Sequence, residues 1–166
     1  MIDIITTAET LKRRYTKGPT TGIFTDGSAK PNPGDGGWGF VHVLNNQIIS
    51  FGSGKDLETT NNRMELTALI KAFDYISSEL TVSQQNDLKV YTDSQLCVNT
   101  INQWAHSWKK NNWRRKTGEI KNLDLVKELY DQKQSLKNVE LAWVPGHSGW
   151  LWNEVVDVLA DASIGE

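Results

Sequence analysis

The chain has one cysteine, Cys97. No disulfide can form within it, and a reducing, cytoplasmic setting is the expectation. It lacks any apolar run of about 18 residues, so nothing in it reads as a membrane span. Its start, Met1-Ile2-Asp3-Ile4-Ile5, lacks the basic residues and long apolar core of a secretory signal. Lys and Arg are absent after Lys137, where Glu140, Glu154, Asp157, Asp161 and Glu166 remain. There is no excess of positive charge: the net charge of -2 argues against a polyanionic partner for the chain as a whole. What is present is 166 residues of ordinary globular composition, enough for one domain with a proper core.

The distribution of charge points the other way from its sum. Between Trp104 and Lys121 stand Lys109, Lys110, Arg114, Arg115, Lys116 and Lys121, against one acid, Glu119. Trp104, Trp108 and Trp113 are interleaved with them. Aromatics can pack along a sugar-phosphate backbone while cations pair with phosphates. The alternative is a solvated helix face over core tryptophans.

Residues 1–20 read as an N-terminal extension, a basic and loosely attached segment carrying Lys12-Arg13-Arg14 and Lys17. Its alternative role is a supplementary nucleic-acid contact. Residues 21–166 read as the single folded domain. A short apolar run, Gly22-Ile23-Phe24-Thr25, predicts a buried strand ending at Asp26. Gly36–Leu44 and Gln47–Gly52 predict a hairpin closed by Asn45-Asn46. His42 lies inside that strand pattern and reads as structural. Thr60-Asn61-Asn62 offers N-cap side chains for a helix to about Leu80, with Leu66, Leu69, Ile70, Phe73 and Ile76 as its apolar stripe. Leu88–Thr92 predicts a fourth strand and Gln95 to about Gln103 a helix. Leu123–Tyr130 predicts an amphipathic helix, Val139–Val144 a fifth strand, and Asn153–Ser163 a last helix. The order describes an α/β fold: one mixed sheet with helices packed on it.

Four acids, Asp26, Glu65, Asp93 and Asp157, stand beside apolar segments far apart in sequence. Each has a plain alternative: Glu65 as a first-turn acid favoured by the helix dipole, Asp93 as an N-cap. Together they describe one cluster of oxygen ligands for hard divalent cations such as Mg²⁺. Acids brought together repel and shift their pKa values upward until a cation relieves them. Two cations roughly 4 Å apart can activate a water and steady the leaving oxygen of a phosphodiester. His147, in the flexible Pro145-Gly146-His147-Ser148-Gly149, is the natural proton carrier if it is not an exposed bystander.

Asp26-Gly27-Ser28, Asn32-Pro33-Gly34, Gly36-Gly37-Trp38-Gly39, Thr60-Asn61-Asn62-Arg63-Met64-Glu65, Thr92-Asp93-Ser94-Gln95 and Gly146-His147-Ser148-Gly149 occur in that order. Asn153-Glu154 and Asp157-Val158-Leu159-Ala160 follow. In this order and spacing, the chain from 21 to about 163 resembles the type 1 ribonucleases H. The resemblance implies a five-stranded mixed sheet in order 3-2-1-4-5 flanked by helices. It also implies metal-dependent hydrolysis of the RNA strand of RNA–DNA hybrids, with 5′-phosphate and 3′-hydroxyl products.

Carried over residue by residue, Asp26, Glu65, Asp93 and Asp157 match the family's metal-binding carboxylates. His147 matches its mobile catalytic histidine. Asn32, Asn62 and Gln95 match positions that read the RNA minor groove and its 2′-hydroxyls. Gly27, Ser28, Thr60, Asn61 and Asn153 fall at substrate-binding positions. Trp104, Trp108, Lys109, Lys110 and Trp113 resemble the protrusion that holds the DNA strand. The expected cofactor is two Mg²⁺ per site, with Mn²⁺ able to substitute. The expected partner is the hybrid, bound by a monomer with no membrane attachment. Four departures stand out: Asp35 after Asn-Pro-Gly, Ser107 where relatives carry an asparagine at a DNA phosphate, Val155-Val156 before Asp157, and the aromatic Trp150 and Trp152. The last two read as loop packing. The rival readings are the ribonuclease H portion of a reverse transcriptase, a non-catalytic hybrid-binding module, and another nuclease on the same fold.

Overall fold

The computed structural model describes residues 2–115 and 117–166. Three strands open the sheet: β1 (Gly22–Ala29), β2 (Gly34–Leu44) and β3 (Gln47–Thr59). Asn45 and Asn46 both take positive φ, 49° and 64°, and close the β2–β3 hairpin as expected of that pair. Helix α2 (Asn61–Glu79) and the one-turn α3 (Val82–Gln85) lead to β4 (Lys89–Thr92). Helix α4 (Gln95–Asn99) passes through a π-helical turn, Thr100–Trp104, into α5 (Ala105–Lys110). Helix α6 (Leu123–Ser135), β5 (Glu140–Trp143) and α7 (Leu151–Ile164) complete the chain. The sheet has the order β3-β2-β1-β4-β5. β1, β2 and β3 are antiparallel neighbours; β1–β4 and β4–β5 are parallel. This is the mixed five-stranded sheet that the sequence motifs imply.

Each face of the sheet carries its own apolar core. On one, Leu66, Leu69, Phe73 and Ile76 of α2 meet Ile23, Val90, Leu129 and Leu141. On the other, Val155, Val156 and Leu159 of α7 meet Phe24, Val41, Val43 and Tyr91. β1 is central and contributes alternate side chains, Ile23 and Phe24, to the two cores, as strand geometry requires.

Two expectations change. β1 does not stop at Asp26: Gly27, Ser28 and Ala29 continue the ladder against Trp38, Gly37 and Gly36. Asp26 therefore sits within the strand, held on both sides. The N-terminal segment is not a loose tail. It forms a helix, α1 (Ile4–Lys12), capped by Asp3, whose carboxylate accepts the N–H groups of Ile5 and Thr6. Ile4 and Ala8, one turn apart, are buried in the α7-side core. The basic residues that suggest a solvated tail lie on the turns after that apolar pair.

Candidate active site

The organising acid is Asp26, buried in the middle of the central strand. Two turns of α2 bring Glu65 over it. α2 starts where Thr60 Oγ1 accepts the Arg63 N–H at 3.2 Å, so Glu65 falls in the second turn and is buried. Its Oε1 accepts the Gly27 N–H at 2.6 Å. This contact explains Gly27: a Cβ there would stand 2.3 Å from the Met64 backbone. Only glycine lets β1 approach α2 so closely. Glu65 is thus not the first-turn dipole acid that is its plain alternative.

Asp93 lies one residue past the end of β4. It is not the N-cap of α4; Ser94 takes that role, its Oγ accepting the Cys97 N–H at 3.2 Å. Asp93 is left to face Asp26 and Glu65. A carboxylate oxygen from each of the three lies within 4.8 Å of the others. Asp157 of α7 stands beside Asp26 and groups with His147 and Glu154, whose ligand atoms also lie within 4.8 Å of one another. The four acids that sequence places on separate segments therefore share one cleft, with His147 on its rim.

Electrostatics sets the cleft apart from the rest of the surface. Burial pushes the Asp26 carboxyl well above the ordinary carboxylate range, and the charges of Asp93 and Asp157 push it further. Burial, then Asp26 and Asp93, do the same to Glu65. Among the described residues no Lys, Arg or His lies within ion-pair distance of Asp26, Glu65, Asp93 or Asp157. The nearby Lys30 is committed to Asp161 at 2.8 Å, and that pair raises its pKa. An all-oxygen set of acids, partly buried and without a cationic partner, has the chemistry of a hard divalent cation site.

The remaining sequence-derived positions divide. Asn32, Asn61 and Asn62 cluster at the start of α2: Asn32 Oδ1 accepts the Asn61 N–H at 3.0 Å, and Asn61 Oδ1 accepts the Ala29 N–H at 2.7 Å. Ser28 and Asn62 line the cleft, and Gln95 is exposed on the first turn of α4. Asn153, expected at a substrate-binding position, stands among the acids. It is buried, and its amide donates to Asp93 Oδ2 at 3.3 Å. Its spacing four residues before Asp157 puts it on the α7 face turned to the acids.

On the protrusion the tryptophans separate. Trp104 is 42% exposed and tilts against Trp108 at 6.3 Å. Trp108 and Trp113 pack partly into the core; Trp113 meets Tyr130 edge-on, with Lys127 over its other side. Lys109 lies over the Tyr130 ring, and Lys110 is exposed. Lys116 lies outside the described residues.

Three residues at the cleft escape a reading of the sequence. Glu154 joins His147 and Asp157, and Asp161 accepts Ser28 Oγ at 3.0 Å. Their positions three before and four after Asp157 put them on one helix face, which is the signal that points to them. Trp143, whose Nε1 donates to the Asp93 carbonyl at 3.3 Å, has no such signal.

Known proteins resemble the chain over most of its length. The family model for RNase H matches residues 19–164. A ribonuclease H of Dechloromonas aromatica is 44% identical over 148 residues, 89% of this chain and 95% of the relative. One from Francisella philomiragia is 42% identical over 153 residues, 92% and 95% of the two chains. The crystal structure of LC9-RNase H1, described as a type 1 RNase H with the type 2 active-site motif, superposes with a TM-score of 0.66 at 27% identity. It covers 90% of this chain and 75% of its own. The sheet order, the acid cleft and these matches across nearly the whole chain agree: the protein belongs to the ribonuclease H family.

Proposed function

We propose that this protein is a metal-dependent endoribonuclease that hydrolyses the RNA strand of RNA–DNA hybrids. The observation that carries the reading is the cleft itself. Asp26, Glu65 and Asp93 converge within 4.8 Å, two of them buried, and among the described residues none forms an ion pair with a side-chain cation. Such mutual repulsion costs the fold stability, and a bound cation relieves it. Asp26, Glu65, Asp93 and Asp157 would hold two Mg²⁺ ions, which supply charge stabilisation at the phosphate and ease deprotonation of an attacking water.

The protein's own groups supply the rest. Asn153 holds Asp93 in orientation, and the Gly27 N–H holds Glu65. His147, exposed on the rim beside Asp157, takes or returns a proton as the water oxygen bonds to phosphorus and the P–O3′ bond breaks. The proton ends on the 3′-oxygen, leaving 3′-hydroxyl and 5′-phosphate ends. Asn32, Asn62 and Gln95 offer amides to the RNA 2′-hydroxyls, the groups that separate RNA from DNA. Trp104, Lys109 and Lys110 hold the DNA strand through stacking and phosphate charge.

The test is cleavage of an end-labelled RNA–DNA hybrid beside single-stranded RNA, double-stranded RNA and double-stranded DNA, with Mg²⁺, Mn²⁺ or EDTA. Hybrid-only, metal-dependent cleavage with 5′-phosphate ends is expected. Tight hybrid binding without cleavage under either metal would move the function to a binding module.

A further inference from the structure

Helix α7 carries Asn153, Glu154 and Asp157, yet its N-terminus has no side-chain cap. The first-turn N–H groups of a helix need acceptors from elsewhere. Here one comes from the N-terminal segment: the Leu151 N–H donates to the Lys17 carbonyl at 3.0 Å, and Lys17 and Trp150 form a parallel backbone bridge. Gly18, at φ 93°, passes against the Trp150 indole so closely that a Cβ would meet it at 2.9 Å. The Tyr15 ring stands beside Gly149. α1 fixes this segment from behind, with Ile4 and Ala8 buried against the α7 core and Lys12 over the Trp152 ring.

The contacted stretch begins two residues past His147. The loop 145–150 holds two left-handed residues, His147 and Gly149. Among the described residues its one side-chain hydrogen bond, Ser148 Oγ to the Gly146 carbonyl at 3.1 Å, stays inside the loop. Upstream, β5 ties it through the Val144 N–H to the Thr92 carbonyl at 2.9 Å. Downstream, the N-terminal segment ties it. Residues 15–18 precede the stretch that the family model matches.

We infer that residues 15–18, held down by α1, are a brace that positions His147: Tyr15, Lys17 and Gly18 fix the downstream end of its loop without touching substrate. The inference rests on the role given to His147 above. An exposed residue on a loop with few ties owes its average position to its anchors. A small displacement of a proton-transfer group costs rate more than affinity.

Gly18→Ala in the full chain puts a methyl into the Trp150 ring on a backbone that disfavours it. We expect kcat on a hybrid to fall about tenfold with KM within about twofold. Placed on His147→Ala, the same change should cost nothing further, because both act through one group. The His147 Cε1–H resonance, read by NMR at one fixed pH, should shift in Gly18→Ala. Losses that multiply with His147→Ala, a rise in KM alone, or an unmoved His147 resonance would overturn the brace. Absence of hybrid cleavage by the parent protein defeats the functional reading alone, and the resonance still decides the brace. Should Gly18→Ala not fold, Tyr15→Ala keeps the backbone bridge and is read the same way, with Tyr15→Phe expected to restore both the rate and the resonance.

Discussion

The cleft and the protrusion are opposites in composition, burial and tolerance. In the cleft, acids are pressed together inside the central strand and the helix above it, where burial penalises their charge. On the protrusion, Lys109, Lys110, Arg114 and Arg115 stand in solvent, where charge costs little. The difference teaches where each task can be housed. Chemistry needs groups held in an unfavourable arrangement that a rigid scaffold enforces. Affinity for a polyanion needs only accessible charge and a face to stack on.

Breaking the cleft should have the largest effect. Asp93→Asn is expected to lower kcat by at least about 10³-fold while hybrid affinity in Ca²⁺ stays within about threefold. Full activity would remove Asp93 from the site. Next comes the scaffold under the cleft. Gly27→Ala drives a methyl into the Met64 backbone and should cost about 3 kcal/mol of folding stability, measured by urea unfolding. A neutral result would mean that α2 and β1 can part without loss.

The protrusion should answer in a different currency. Trp104→Ala with Lys109→Gln and Lys110→Gln is expected to raise KM about tenfold, roughly 1.4 kcal/mol, with kcat preserved. The slope of log affinity against log salt should shrink by about 2. A loss of kcat instead would tie the protrusion to the chemistry and erase the contrast.

The smallest effect sharpens the comparison most. The Asp26 carboxyl has a folded-state pKa above its unfolded value. The folded state therefore binds more protons between the two values, and without metal stability falls as pH rises from the ordinary carboxylate range to that raised pKa. At neutral pH in EDTA, Asp26→Asn should be more stable than the parent by on the order of 1 kcal/mol, a Tm rise of about 2–4 °C. Added Mg²⁺ should stabilise the parent and not the variant. Neutralising Lys110 should leave Tm unmoved. A lower Tm for Asp26→Asn in EDTA would mean that the acids are already compensated.

Much of the fold and the site is legible in the amino-acid sequence. The hairpin at Asn45-Asn46, the α2 stripe and the acids beside apolar runs follow from local rules of turn chemistry, helical period and strand length. Residues whose meaning depends on a distant partner are not legible there. Asn153 reads as a polar site residue, but only the packing of α7 turns its amide to Asp93. Trp113 reads as a nucleic-acid contact, and only the fold sets Tyr130 edge-on to it and Lys127 over its ring. The N-terminal segment reads as a basic tail because four cations outweigh an apolar pair whose value appears only against α7.

The sequence by itself determined the order of the five strands and the main helices between them, the chemical identity of the acids and the family, because local propensity and motif spacing are written in neighbouring residues. Tertiary structure alone decided that Asp26, Glu65 and Asp93 approach within 4.8 Å of one another, that Ser94 and not Asp93 caps α4, and that the Lys17 carbonyl caps α7. The reason is physical: charge repulsion, desolvation and the filling of a helix end are properties of groups close in space, and no rule of spacing along a chain carries that distance.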